Sequence, residues 1–121
     1  MVKGIGIDLV EVERFGRVQH QRDFLQQILT EEEIGTLPRG PGKAVKLAGM
    51  FALKEACLKA LGCGLHDGSH WKSMEISRDG EMNVSGALQD IIERTPHSKI
   101  FLSRSSSQKY SIAFILIEEQ S

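Results

Sequence analysis

The chain has 121 residues, with 15 Lys or Arg against 16 Asp or Glu, and 40% of its residues are hydrophobic. This length and composition predict one globular domain over residues 1–121 and exclude a disordered or fibrous chain. The net charge of -1 gives no basic signature, so we expect no nucleic-acid partner and no membrane association. Two cysteines suit neither a disulfide framework nor a zinc site, and no segment resembles a signal peptide or a membrane span, so we expect a cytoplasmic protein.

The first predicted element is a strand over residues 2–10. Its two faces alternate, with Ile5, Ile7 and Leu9 on one and Gly4, Gly6 and Asp8 on the other. We expect the apolar face to pack into the core. The glycine face would be cleared for the close approach of a backbone or a ligand, with Asp8 at its end.

Helical spacing follows from Glu11 to about Leu29. The sequence Thr30-Glu31-Glu32-Glu33 fits a capping box, which predicts a short helix that stops near Pro38. Residues 39–42, Arg-Gly-Pro-Gly, are typical of an exposed loop.

The strongest helix is predicted from about Ala44 to Leu61, with Gly62 at the position of a left-handed C-terminal cap. Asp79-Gly80 has the signature of a type I′ hairpin between strands 73–78 and 81–85. A short helix over 86–94 and a final antiparallel pair, 99–104 with 110–118, complete the pattern. Together these elements predict an α+β fold with an antiparallel sheet packed on one long helix.

Glu55 and Lys59 lie four residues apart on this helix, so they project from the same face beside the small residues Ala48 and Ala52. One interpretation is a solvated surface pair, which is what most such pairs are. The other is a chemical site, and it needs a second, independent feature.

Asp8 is the candidate for that feature. Two carboxylates from different elements, such as Asp8 and Glu55, suit a hard divalent cation, and Mg²⁺ is typically held by one or two carboxylates plus waters and phosphates. Lys59 would then meet a phosphate, and the backbone of Gly62-Cys63-Gly64 can approach one closely. The alternative for Asp8 is a cap on the following helix.

Two segments carry a family resemblance: GIGIDLVEVERF from residue 4 and FALKEACLKALGCG from residue 51. With the I-L-T-x-x-E segment at Ile28 to Glu33 and the full chain length, they resemble holo-acyl carrier protein synthase. This family is the small bacterial type of 4′-phosphopantetheinyl transferase. The resemblance implies the fold of that family and transfer of the phosphopantetheine arm of coenzyme A to a serine of an acyl carrier protein.

The resemblance also implies roles for single residues. Asp8 and Glu55 correspond to the magnesium ligands, and Lys59 to the lysine near the phosphates. The base that takes the serine proton is left open between Lys59, Glu55 and a metal-bound water. Residues 62–64 (Gly62, Cys63 and Gly64) match the turn beside the pantetheine phosphate, and Arg14 matches the arginine that grips the acidic carrier protein. The family further implies a homotrimer with three sites between neighbouring subunits.

The sequence departs from the family pattern in three places. Met50 stands where the family helix usually has arginine, Ser106 stands in the place of a histidine, and Glu81 and Met82 follow Gly80 where the hairpin usually reads Gly-Lys-Pro. These departures weaken the expected grip on coenzyme A more than the metal site. They motivate an alternative, a divergent relative that binds coenzyme A or a carrier protein without efficient transfer.

Overall fold

A computed structural model of the chain describes residues 1–62, 68–94 and 97–120. The strands are β1 (Val2–Glu11), β2 (Met74–Ile76), β3 (Met82–Val84), β4 (Ser98–Ser106) and β5 (Tyr110–Glu119). The α-helices are α1 (Arg22–Ile28), α2 (Glu31–Gly35), α3 (Lys43–Ala60) and α4 (Gly86–Glu93). Short 3₁₀ helices lie at Val12–Phe15, Val18–His20 and Gly68–Ser73.

The main sheet is antiparallel, with the strand order β1-β5-β4. Strands β2 and β3 form a separate antiparallel pair. The long helix α3 packs across β1 and β5, and its residues Leu47, Leu53 and Leu58 are fully buried. The predicted α+β fold, an antiparallel sheet on one long helix, is therefore confirmed.

The contact between β1 and α3 depends on two glycines. A Cβ added to Gly6 would lie 1.8 Å from the carbonyl oxygen of Ala56, and one added to Gly4 would lie 2.0 Å from that of Ala60. The glycine face thus allows the close approach of a backbone, as predicted. That backbone belongs to α3, so the glycine face is the one that packs into the core. The prediction that the apolar face packs into the core of the chain is wrong.

The opposite face of β1 is apolar and exposed, and it continues over the neighbouring strands. Ile5 lies opposite Leu116, Ile7 opposite Phe114 and Leu9 opposite Ile112. We call this surface the outer sheet face; its large apolar residues with 41% to 61% exposure are Ile5, Ile7, Leu9, Phe101, Tyr110 and Ile112. A continuous apolar surface of this kind marks an interaction site in a monomeric chain.

The segment after β1 is less helical than predicted. It consists of two 3₁₀ turns separated by Gly16 and Arg17, and an α-helix begins only at Arg22. Asp8 lies inside β1 rather than at its end, and the residue that precedes the first 3₁₀ turn is Glu11, without a side-chain cap. The alternative of Asp8 as a helix cap is therefore wrong.

The capping box at α2 is confirmed. The Thr30 hydroxyl accepts from the Glu33 amide at 3.2 Å, and a Glu33 carboxylate oxygen accepts from the Thr30 amide at 2.9 Å. The hairpin between β2 and β3 forms as predicted, but the type I′ turn is wrong. Only Gly80 has a positive φ there, and the Gly80 amide donates to the Ser77 carbonyl, which is a turn closed by a left-handed glycine.

Candidate functional site

Asp8 and Lys59 meet at the contact of β1 with α3. The Lys59 ammonium donates to Asp8 Oδ1 at 3.0 Å and to the Ile7 carbonyl at 3.1 Å. Asp8 projects from the same face as Gly4 and Gly6, so the close approach of the helix backbone brings α3 side chains to its carboxylate. The Lys59 side chain is 42% exposed and that of Asp8 15%, so the ion pair is open on the lysine side.

Glu55 completes this cluster. It is 8% exposed, and burial raises the pKa of its carboxyl above the ordinary value. The charge of Asp8 raises the pKa of Glu55 further, while Lys59 and Arg14 act in the opposite direction. The sequence-predicted residues Asp8, Glu55 and Lys59 are thus brought within electrostatic reach of one another, and two of the three are carboxylates that repel.

The donor set fits a divalent cation. Asp8 Oδ2 is buried and accepts no hydrogen bond from any residue that the structure describes. A buried carboxylate oxygen without a donor is unfavourable, and a cation between Asp8 and Glu55 would satisfy it. Within residues 1–62, 68–94 and 97–120 no group of three or more His, Cys, Asp or Glu could hold a metal. Two carboxylates suit Mg²⁺, which keeps waters and binds substrate phosphates.

The other predicted site residues fall in three places. Arg14 is exposed on the 3₁₀ helix Val12–Phe15, and its charge reaches Glu55. Gly62 follows α3 with a φ of 74°, as expected for a left-handed glycine after a helix. Cys63 and Gly64 lie outside the described residues.

Two of the departures from the family pattern, Met50 and Ser106, lie in different environments. Met50 is buried at 2% exposure, so its side chain belongs to the core. Ser106 is exposed, and its hydroxyl shares a 2.7 Å hydrogen bond with that of Ser111. Arg104 faces α3 nearby: its Nη1 lies 3.6 Å from the position of a Cβ at Gly49.

Sequence reasoning missed a buried polar cluster that includes Lys54, the residue directly before Glu55 on α3. Lys54 and Glu33 form an ion pair of 2.6 Å, and both side chains have 0% exposure. Burial lowers the pKa of Lys54, against the opposing effect of the Glu33 carboxylate. The available signal was the helix face around Lys54, since its neighbours three and four residues away, such as Phe51, Cys57 and Leu58, are all apolar.

Residues 4–115 match the family model of the 4′-phosphopantetheinyl transferase superfamily. The chain belongs to this superfamily. A holo-(acyl-carrier-protein) synthase of Geotalea daltonii is 34% identical over 125 residues, which cover 98% of this chain and 100% of the relative. This phosphopantetheinyl transferase also matches the crystal structure of a holo-(acyl-carrier-protein) synthase from Neisseria meningitidis, with 31% identity, a TM-score of 0.82 and coverage of 98% and 99%. The family resemblance seen in the sequence is thereby confirmed.

A third similar protein has been solved with a bound ligand. The holo-(acyl-carrier-protein) synthase from Bacillus anthracis, solved in complex with CoA (3′,5′-ADP), is 27% identical to this phosphopantetheinyl transferase. Its TM-score is 0.77, and 99% of each chain is covered. In the described part of the present chain, no helix combines the length and the apolar character needed to cross a bilayer.

Proposed function

We propose that the chain transfers the 4′-phosphopantetheine group of coenzyme A to a serine of an acyl carrier protein, which converts the apo form into the holo form. The observation that carries the proposal is the meeting of Asp8, Glu55 and Lys59 at one strand–helix contact in a member of this family. The relatives named as holo-(acyl-carrier-protein) synthases support the acceptor, and the complex from Bacillus anthracis supports the donor.

In this proposal Asp8 and Glu55 hold Mg²⁺. The support is the buried Asp8 Oδ2 without a donor and the raised pKa of Glu55, since both costs are relieved by a cation. When bound, the ion supplies positive charge to the pyrophosphate oxygens, which gain negative charge as the bond to the leaving group breaks.

The side chains of this site take the remaining roles. The serine oxygen attacks the phosphorus on the pantetheine side of the pyrophosphate, and the bond from that phosphorus to the bridging oxygen breaks. Adenosine 3′,5′-bisphosphate leaves with the electron pair of that bond, and the serine proton passes to a base. Lys59, half exposed beside Asp8, neutralises phosphate charge as an ammonium, which has no lone pair to accept a proton. The candidate side chains for the base are therefore the Glu55 carboxylate and Lys59 as a free amine.

Substrate binding extends from both ends of this cluster. Arg14 offers an exposed guanidinium at the edge of the site, which suits an acidic carrier protein. Gly62 follows α3 three residues after Lys59 and has a left-handed φ of 74°. The proposal retains the sequence-based expectation that Gly62, Cys63 and Gly64 lie beside the phosphate on the pantetheine arm. The proposal also retains the sequence-based expectations of a single domain and a cytoplasmic location.

A homotrimer belongs to the same proposal. The outer sheet face carries exposed apolar side chains on all three strands, and covering it with copies of the chain would remove them from water. Sites between neighbouring chains would also help to enclose the substrate. A domain of 121 residues has little depth for a large ligand, and a neighbour could cover the exposed side of the Asp8–Lys59 pair.

The test is a mass measurement. The chain is incubated with coenzyme A, Mg²⁺ and an apo-acyl carrier protein, and the carrier is expected to gain the mass of one phosphopantetheine arm. Glu55→Ala should lower the rate by about 100-fold or more, because it removes a carboxylate from the charge-stabilising site. Glu31→Ala, on the exposed surface of α2, is the matched control and should keep the native rate.

The alternative is a relative that binds without efficient transfer. The buried Met50 and the serine at position 106 favour it, since neither places a cation near the coenzyme. Binding of coenzyme A with no mass gain on any apo-carrier would support this alternative and refute the transfer.

A further inference from the structure

The buried ion pair of Lys54 and Glu33 is the strongest polar feature that the proposed chemistry does not use. The Lys54 ammonium has three donors, and each has an acceptor: Glu33 Oε1 at 2.6 Å, the Ile28 carbonyl at 2.7 Å and the Trp71 carbonyl at 3.1 Å. These acceptors lie at the end of α1, in α2 and in the 3₁₀ helix Gly68–Ser73. One side chain of α3 therefore holds three other segments.

Glu33 extends the network further. Its Oε1 also accepts from the Thr30 amide at 2.9 Å, and its Oε2 accepts from the Ile76 amide of β2 at 3.0 Å. The carboxylate that closes the capping box is thus the partner of Lys54 and an anchor of β2. All three donors of the Lys54 ammonium and three of the roughly four acceptor positions of the Glu33 carboxylate are used, which fixes geometry more strictly than apolar packing does.

The pair needs an explanation other than stability. Removing two charges from water costs about as much as their attraction returns, and replacing a buried ion pair by apolar residues of similar size is often neutral or stabilising. What such a pair can provide is one defined arrangement of the elements that it joins.

Two observations connect this arrangement to the site. Lys54 directly precedes Glu55 and lies five residues before Lys59, so the rotation of α3 that the pair fixes also fixes both site residues. The Trp71 ring stacks on Phe51, one turn before Glu55, with centroids 5.2 Å apart and planes at 22°. Trp71 is therefore held on α3 through its ring and through its carbonyl.

We propose that Lys54, through its buried pair with Glu33, is a positioning residue for the transfer reaction. Lys54 touches neither substrate nor metal. It acts by fixing the rotation of α3 about its axis and the position of Trp71 against this helix, and these two features together set the direction in which Glu55 projects. Reacting groups must be held within roughly 0.5 Å, or 10–20°, of the productive geometry. A misplacement of about 1 Å costs on the order of 100-fold in rate.

This inference rests on the proposed function and is tested with a charge-free pair of nearly the same size. In the double variant Lys54→Met with Glu33→Gln, the melting temperature should fall less than in either single variant, because no unpaired charge is left in the core. The kcat of phosphopantetheine transfer should fall by roughly 10-fold or more, with the KM for the carrier protein unchanged. A merely stabilising pair would lower the melting temperature and leave kcat in the folded fraction unaltered.

The exposed pair Arg22–Glu31, at 3.1 Å between α1 and α2, provides the matched control. Arg22→Met with Glu31→Gln makes the same chemical change and should alter neither melting temperature nor kcat. If the buried double variant does not fold, Phe51→Leu, which keeps the ion pair but removes the ring that stacks on Trp71, should still lower kcat at constant KM for the carrier protein.

A native kcat in a folded buried variant would overturn the positioning role while the proposed function stands. Absence of transfer by the native chain would overturn the proposed function and this role together.

Discussion

Replacing Gly6 by alanine tests whether the site depends on direct contact between the backbones of β1 and α3. The added Cβ would lie 1.8 Å from the Ala56 carbonyl oxygen, 2.7 Å from its carbon and 2.9 Å from the Ala60 amide nitrogen. All three atoms are backbone, so no side-chain rotation relieves the overlap. Restoring even a 3.0 Å separation from the oxygen moves the strand and the helix apart by roughly 1.2 Å.

This displacement has an energetic and a chemical cost. Overpacking a core typically costs about 1–3 kcal/mol, and because the clash is with backbone we expect at least about 3 kcal/mol lost from the free energy of unfolding. Asp8 is two residues further along the same face, so its 3.0 Å contact with Lys59 would open as well. A shift of about 1 Å at the site lowers the transfer rate on the order of 100-fold.

Urea denaturation, followed by circular dichroism, measures the first effect, and the carrier-protein mass assay measures the second. Gly35→Ala is the matched control, because a Cβ at this position in α2 meets nothing within 4 Å. This control should be neutral or stabilising by up to about 1 kcal/mol. Equal unfolding free energies for Gly6→Ala and Gly35→Ala would refute the close backbone contact.

Three further substitutions address charge, docking and assembly. Because the pKa of Glu55 is raised in the folded state, the folded chain keeps that proton to higher pH than the unfolded chain does; without metal, the free energy of unfolding therefore falls as the pH rises through this interval. Glu55→Gln should remove that fall in urea titrations at several pH values in EDTA, and an unchanged pH slope would contradict the assigned environment. Arg14→Ala should raise the KM for the carrier protein roughly 10-fold at constant KM for coenzyme A, whereas Arg17→Ala should not; equal effects would argue against docking at Arg14. Ile7→Lys on the outer sheet face should yield monomers in analytical ultracentrifugation, while Gln21→Lys, at an exposed position before α1 and outside this face, should not. A native chain that is already monomeric would exclude the trimer.

Much of the fold could be predicted because local signals agreed with the tertiary structure. The run of strong helix formers gave α3 to within a residue or two, and the capping box gave the start of α2. Asp8, Glu55 and Lys59 could be grouped from spacing and residue type together with the family resemblance. Their actual contact is set by how closely α3 approaches β1, which requires the packed structure.

The errors have a common physical origin. Alternation along β1 distinguishes its two faces but does not say which of them the same chain covers. Usually the apolar face is the buried one; here the glycine face is buried, because the backbone of α3 approaches so closely that no side chain would fit between helix and strand. Lys54 resembled a surface residue by type, and its burial depends on Glu33 and on two carbonyls distant in sequence. Partners supplied from far along the chain leave no periodic signal.

The outer sheet face makes the stability and the catalytic rate of each chain depend on protein concentration. A chain whose apolar sheet surface is covered by copies of itself gains part of its stability from association, so that stability depends on the total protein concentration. If the sites lie between neighbours, dilution removes active sites as well as stability. The rate per chain would then rise with concentration until assembly is complete, and newly made chains at low abundance would contribute little to carrier modification.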